Sequence, residues 1–336
     1  MTSGGHEFRK PPAPKLISLS NNTMRKVLYN RFGDEQVLEV REQPTPTITK
    51  NQLLIRVKAT AINPLDWKIY GGQMKLLSGS KFPKGVGIDF AGTVTQVGPG
   101  VTRFQVGDAV FGLLDVFKGG ALAEYVVVTE ADIALKPTSI SFDQAAALPV
   151  AGLAALQIID QLAAVGQGHE VLIVGATGGV GLFAIQLAKK RGAQVTAVVG
   201  TAGVQRATQL GADSVVDYTK QDISQLTQQF DTLVDLSDKL AFKAAKKLLK
   251  PRATFVSTLP SPQGLIRSFF HNLFSARKRK ILILKPTAAG LNTLAALAQD
   301  GLQIPVEKVY TLANVRQAYQ ETSRGQVKGK AVVVLE

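Results

Sequence analysis

At 336 residues the chain is too long for one small core and suits two domains, and 45% hydrophobic with 19% charged residues is the balance of an ordinary globular protein. No apolar run reaches the roughly 18–20 residues a membrane-spanning helix needs, and the lack of cysteine excludes disulfides, thiolate zinc sites and a cysteine nucleophile. The formal net charge of +14 predicts attraction to polyanions, whether nucleic acid, an anionic membrane surface or acidic ligands, with a solvated basic surface as the plainer reading.

Residues 1–23 hold Pro11, Pro12 and Pro14, two glycines and no hydrophobic period, so they read as a flexible extension. A targeting peptide, an expression remnant and an upstream start before Met24 all suit it, whereas the apolar core of a secretory signal is missing. From Met24 short alternating strands are expected at 25–30, 37–42, 52–60, 90–97, 109–111 and 123–128, separated by proline- and glycine-rich turns. That is an all-β region, read as a small barrel. Residues 141–159 have helical composition interrupted at Pro149 and read as a linker helix into the second region.

Val171 to Val174 is a short aliphatic run of the kind found in buried parallel strands, and it stops at Gly175-Ala-Thr-Gly178-Gly179-Val180-Gly181 before an apolar helical pattern. Glycines there take the turn, let backbone amides approach a pyrophosphate, and let the helix pack on its strand. An anion would sit at the helix N-terminus, with Gly178, Gly179 and Val180 meeting the pyrophosphate. A second strand at 192–199 completes a βαβ unit of about 30 residues, which puts the adenosine ribose near Gly200 and Thr201. A carboxylate about 20 residues past the glycines would select NAD. The chain offers Gly200, Thr201, Ala202 and Gly203 there, then Arg206, a pattern with room for the 2′-phosphate of NADPH.

Further strands are expected at 214–218, 231–235, 253–259, 280–284, 306–312 and 331–334, with helices at 203–210, 239–250, 289–299 and 315–322. Alternating strands and helices imply an α/β doubly wound parallel sheet. Lys239, Lys243, Lys246, Lys247 and Lys250 recur at helical spacing and read as one solvated face. The segment from Leu265 to Lys280 instead interleaves Phe269, Phe270 and Phe274 with Arg277-Lys-Arg-Lys280. Such a stretch suits an anionic membrane interface, nucleic acid, the rim of a substrate cleft or a subunit contact.

The order of motifs from Met24 to Glu336 resembles the zinc-free quinone oxidoreductase branch of the medium-chain dehydrogenase/reductase superfamily. The motifs include Asn63-Pro64-Leu-Asp66, Gly87-Ile-Asp89-Phe-Ala-Gly92, Gly119-Gly120-Ala-Leu-Ala-Glu124-Tyr125, the glycine turn, and Gly329-Lys330. Asp66-Trp67-Lys68 and the basic region after Leu259 are closest to its alkenal reductases and chloroplast envelope quinone oxidoreductase homologues. Ile88 stands where zinc-dependent relatives have a histidine ligand, and His6, His169 and His271 are scattered, so no metal site is expected.

The resemblance implies a GroES-like domain at 24–148, a Rossmann NADP-binding domain at 149–286 and a return to the first domain at 287–336. It implies hydride transfer from NADPH to a quinone or to the C=C bond of an α,β-unsaturated carbonyl. In the resembling enzymes Asn63 and Lys68 face the nicotinamide; Lys68 holds ribose hydroxyls, donates to the developing oxyanion, or simply points to water. Asp66 caps a short helix. Tyr70 is a weaker candidate proton donor. Tyr218 joins Gly200 and Thr201 around the adenosine phosphate, Arg324 falls where some bacterial members place an arginine on it, and Leu259 lies beside the nicotinamide or in the core. A homodimer is common in the family, and location is expected to be cytoplasmic or peripheral to a membrane. The competing reading is a catalytically weak, nucleotide-binding protein that engages RNA or a membrane surface, RNA being the less favoured partner.

Overall fold

The computed structural model describes residues 23–237, 239–258 and 262–335, so residues 1–22 and Leu259 lie outside the described part. Eight strands come first: β1 (Thr23–Tyr29), β2 (Glu39–Pro44), β3 (Leu53–Ala61), β4 (Lys84–Gly85), β5 (Asp89–Val97), β6 (Ala109–Leu113), β7 (Tyr125–Val128) and β8 (Ile133–Leu135). The helices α1 (Pro64–Tyr70) and α2 (Lys75–Ser78) lie between β3 and β4. The expected small barrel is built as two sheets: β2-β1-β4, and a larger one whose middle is β3. Val27 donates to Leu122 O at 2.8 Å and bridges them. β3 is buried along almost its whole length, and it pairs with β5, β7 and the last strand of the chain.

The linker is α3 (Phe142–Ala146), then α4 (Pro149–Leu156), which runs into a π-helical turn at Gln157–Leu162. Pro149 opens α4 because the first helical position needs no N–H donor and a φ fixed near −65° already suits it. The second sheet holds β9 (Glu170–Val174), β10 (Gln194–Val199), β11 (Ser214–Asp217), β12 (Phe230–Asp235), β13 (Leu249–Ser257) and β14 (Lys278–Ile281). Its order is β11-β10-β9-β12-β13-β14, parallel throughout, with α5 (Gly181–Lys190), α6 (Val204–Gln209), α7 (Phe242–Ala245) and α8 (Pro262–Phe274) between strands. The order turns around beside β9, and crevices at such switch points hold ligands.

After α9 (Ala288–Gln299), β15 (Val306–Thr311) and α10 (Val315–Ser323), the chain ends in β16 (Lys330–Val334), which pairs antiparallel with β3. One core cluster runs from Ala59, Ile88 and Phe111 through α4 to Val171, Ile173 and Leu182, so apolar packing joins the two sheets. Among the described residues no helix is long and apolar enough to cross a membrane.

One sequence expectation fails. The basic helix at 239–250 is only α7 and a 3-10 turn at Lys246–Leu248, after which β13 begins. Leu249, Ala253 and Phe255 are buried at strand spacing, and Lys250 ion-pairs at 2.8 Å with both Glu170 and Asp231 at the starts of neighbouring strands. Lys250 therefore leaves the solvated face. The helical spacing of the lysines was a feature of the polar positions, while the apolar alternation decided the backbone.

Candidate active site

β9 delivers the chain into the glycine turn at the switch point. Gly175 takes φ of +78°, and a Cβ on Gly181 would lie 2.5 Å from Ala176 O, so neither position accepts a side chain without strain. Among the described residues the amides of Gly179 and Val180 donate to no backbone acceptor, and both precede the ten-residue helix α5. Free N–H groups and the positive end of a helix dipole are what a pyrophosphate needs, so the turn fits a dinucleotide.

At the end of β10 a Cβ on Gly200 would lie 3.1 Å from the Tyr218 hydroxyl, so the exposed Tyr218 ring walls the space beside Gly200. Thr201 is engaged by a residue that pattern reading did not weigh. Its hydroxyl donates to Asp217 Oδ2 at 2.6 Å and lies 2.9 Å from Thr219 Oγ1. Hydrogen bonds from Thr201 and Thr219 hold the Asp217 carboxyl down at about 2, so it is charged at neutral pH. Asp213 is turned away, paired with Lys189 at 2.7 Å. Arg206 donates to Lys328 O and pairs with Glu307. Arg324 lies 4.0 Å from Glu35, and no described contact joins it to Tyr218 or Gly200.

On the other side of the glycine turn is a buried polar network. Asn63 Nδ2 donates to Asp89 Oδ2 at 2.9 Å, and Lys330 Nζ donates to Asn63 Oδ1 at 2.9 Å. Lys330 Nζ is 3.8 Å from Asp89, whose other oxygen accepts from the Val150 amide of α4 at 2.9 Å. Asp66 takes the Asn63 amide at 2.8 Å, which fixes the start of α1, and the Tyr319 hydroxyl at 3.0 Å. Asn63, Asp66, Asp89 and Lys330 are all at most 3% exposed. The stem of Lys330 underlies the turn, since a Cβ on Gly179 would lie 3.1 Å from its Cδ.

Burial dominates the titration of these groups. Desolvation raises Asp66 to about 7, with the Asp89 charge adding to it while the Asn63 amide and Tyr319 hydroxyl oppose it. Desolvation likewise raises Asp89 to about 6 against the attraction of Lys330, and burial lowers Lys330. Asp66 Oδ1 is buried without a hydrogen-bond partner among the described residues, which favours the protonated form of that carboxyl.

The structure brings Asn63 to this network and leaves the other two candidates of α1 apart from it. Lys68 is half-buried and makes no ion pair among the described residues. Tyr70 is core: 2% exposed, edge-on to Tyr319 at 5.5 Å and Tyr29 at 6.3 Å, with burial pushing its hydroxyl well above the ordinary phenol range. A tyrosine so held is a poor proton donor. Asp89 and Lys330 were quoted in motifs but given no role. The usable signal was a lone charge at the head of an apolar run, at Ile88-Asp89-Phe90 and Lys330-Ala-Val-Val-Val334.

Comparison with known proteins agrees with this arrangement. The profile of the "Alcohol dehydrogenase GroES-like domain" family matches residues 49–138, and that of the "Zinc-binding dehydrogenase" family matches 210–333. The chain is 31% identical over 327 residues to the chloroplast envelope quinone oxidoreductase homolog of Arabidopsis thaliana, covering 94% of this chain and 99% of the relative. It superposes on the quinone oxidoreductase of Coxiella burnetii with a TM-score of 0.84 at 31% identity, over 94% of this chain and 100% of that one. The Escherichia coli quinone oxidoreductase, solved in complex with NADPH, gives a TM-score of 0.81 at 25% identity, over 93% and 100%. Two sheets meeting at a glycine turn, and this likeness along nearly the whole length, place the chain in the medium-chain dehydrogenase/reductase superfamily, in its quinone oxidoreductase branch, as an NAD(P)H-dependent oxidoreductase of that type.

Proposed function

We propose that the protein transfers hydride, without a metal, from NADPH to a quinone or to the C=C bond of an α,β-unsaturated carbonyl. The observation that carries the proposal is the Asn63–Asp89–Lys330 network lying directly under the turn that fits the pyrophosphate. A bound reduced nicotinamide supplies the hydride; the chain's residues position the partners and stabilise charge on the acceptor oxygen. Gly179 and Val180 hold the pyrophosphate through backbone amides, while the Gly178 amide closes the turn on Gly175 O at 3.0 Å and its missing side chain leaves room for the phosphates. Asn63, fixed at both ends of its amide, is a rigid wall of the site. Lys68, which pairs with no carboxylate among the described residues, supplies the positive charge for ribose hydroxyls or for the oxyanion.

Gly200, Thr201 and Tyr218 line the adenosine end in this reading, and Arg324 enters it on the resemblance alone. Asp217 favours a second reading of the cofactor. A carboxylate on Thr201 suits a free ribose 2′-hydroxyl, and so NADH, better than a 2′-phosphate.

The test is consumption of NADPH and NADH by the purified protein with a panel of quinones and short enones. Oxidation of NADPH with either acceptor class, at roughly tenfold or greater preference over NADH, supports the reading. Cofactor binding without turnover on any acceptor rejects it in favour of a nucleotide-binding protein with a surface role.

A further inference from the structure

Two buried polar atoms from different elements stand on one small cavity. The Tyr29 hydroxyl on β1 and Asp66 Oδ1 on α1 belong to residues 1% and 2% exposed, and neither atom has a hydrogen-bond partner among the described residues. Both residues line a space of about 10 Å³, walled also by residues 85–88 and reaching the exposed Lys118 at its outer end. Buried oxygens without partners cost free energy, and a polar space of this size is the least that holds one water. A water there accepts from the Tyr29 hydroxyl and donates to Asp66 Oδ1. Burial, with the Asp66 charge adding to it, pushes the Tyr29 hydroxyl up to about 12, so it keeps its proton at neutral pH.

The other Asp66 oxygen is taken by the Asn63 amide at 2.8 Å and the Tyr319 hydroxyl at 3.0 Å. Facing the carboxyl are Asp89 from β5, Lys330 from β16, Tyr319 from α10 and Tyr29 from β1, with Tyr70 on its own helix; Lys26 stands beside Gly85 in the cavity wall. Of the buried charges, Asp66 and Asp89 are two carboxylates against the single ammonium of Lys330, so the cluster carries one net negative charge when all three are ionised. It lies beneath the turn that fits a pyrophosphate, since the Lys330 stem passes 3.1 Å from a Cβ on Gly179. A dinucleotide therefore brings its phosphate charges against a buried excess of the same sign. Asp89 keeps its charge beside Lys330 at 3.8 Å, whereas Asp66 makes no ion pair among the described residues. Asp66 is the group that gives way.

We infer that the dinucleotide binds together with a proton, which comes from solvent and bonds to Asp66 by way of the water held between that carboxyl and Tyr29. The inference rests on the dinucleotide reading of the glycine turn. With the proton in place the cluster is neutral, and by linkage proton and cofactor each tighten the binding of the other. Affinity is greatest below the free carboxyl's value of about 7 and falls as pH rises through it.

The experiment is calorimetry of NADH binding to the full chain at about pH 7.5 in HEPES and in Tris, whose unequal ionisation heats report protons taken up, with Kd followed from about pH 6.5 to 9. NADH is the probe because the 2′-phosphate of NADPH itself titrates at about pH 6. The expected result is uptake of about half a proton per site and a Kd that rises roughly five- to tenfold across the range. Asp66→Asn should abolish the uptake and flatten the profile to within about twofold. Tyr29→Phe removes a donor that favours the ionised carboxyl, so it should move the profile to higher pH. A third readout does not depend on either variant folding: the infrared difference spectrum on NADH binding should gain the band of a protonated carboxyl, displaced by isotope-labelled aspartate. Binding without uptake, uptake that survives Asp66→Asn, a profile unmoved in Tyr29→Phe, or no carboxyl band overturns the inference and leaves the dinucleotide reading standing. Failure of NADH and NADPH alike to bind rejects both.

Discussion

Lys330 reaches Asn63 across 267 positions of sequence, its Nζ 2.9 Å from the amide oxygen, in a place where the lysine side chain is 3% exposed. Asn63 is thereby clamped between a buried cation and the buried Asp89 carboxylate. Removing one member of such a pair strands the other in a medium that solvates it poorly.

Lys330→Met should therefore destabilise the protein by about 3–5 kcal/mol. Lys330→Met with Asp89→Asn should cost less than the single Lys330→Met change, because no charge is left unpaired. Urea unfolding of the three variants measures this. A double variant no more stable than Lys330→Met would show that the ion pair is not what holds the network.

The raised carboxyls give a pH dependence of definite sign. Asp66 at about 7 and Asp89 at about 6 bind protons more tightly folded than unfolded, where a carboxyl titrates near its model value of 3.8. Their contribution is fully present below the unfolded value and is lost as pH rises through 6 to 7. Stability from this source should fall between pH 5 and pH 8, with a slope of about 1 kcal/mol per unit where Asp66 alone differs between the two states. Asp66→Asn should flatten that slope, read by urea unfolding across the range. An unchanged slope would place the protons elsewhere.

The glycine turn, the strand order and the return of the tail were legible because each is a local pattern: glycines at fixed offsets, apolar alternation, a helix between parallel strands. The network was not. Asn63, Asp89 and Lys330 sit on three separate pieces of chain; the lone charges of Asp89 and Lys330 beside apolar runs hint at burial but not at one another, and only the pairing of β16 with β3 and of β3 with β5 assembles them. Lys250 misled for the opposite reason, since its spacing suggested a helix face while its partners, Glu170 and Asp231, lay 80 and 19 positions away.

Gly181→Ala should be among the costlier small substitutions. The added Cβ meets Ala176 O and C and Gly175 O at 2.5–2.6 Å, all backbone, so the turn itself must shift. A loss of about 1–3 kcal/mol in thermal or urea unfolding is expected, with weaker binding of both NADPH and NADH because the amides of Gly179 and Val180 move with it. Gly179→Ala should be milder for the fold, since its Cβ meets no backbone atom and touches only the side chain of Lys330, at 3.1 Å. Equal effects from the two would remove the steric argument.

The adenosine end separates two accounts of cofactor choice. Asp217 places a charged carboxylate 2.6 Å from the Thr201 hydroxyl, where a 2′-phosphate would feel its repulsion and a ribose hydroxyl would find an acceptor. Asp217→Asn should strengthen NADPH binding relative to NADH by roughly tenfold, about 1.4 kcal/mol. Arg324→Ala should weaken NADPH and spare NADH if the largely exposed Arg324 guanidinium leaves Glu35, 4.0 Å away, to meet the phosphate. Fluorescence titration of both cofactors on both variants decides the matter. Equal losses for the two cofactors on Arg324→Ala would take that arginine out of the site, and an unchanged ratio on Asp217→Asn would mean that the ribose lies beyond the reach of its charge.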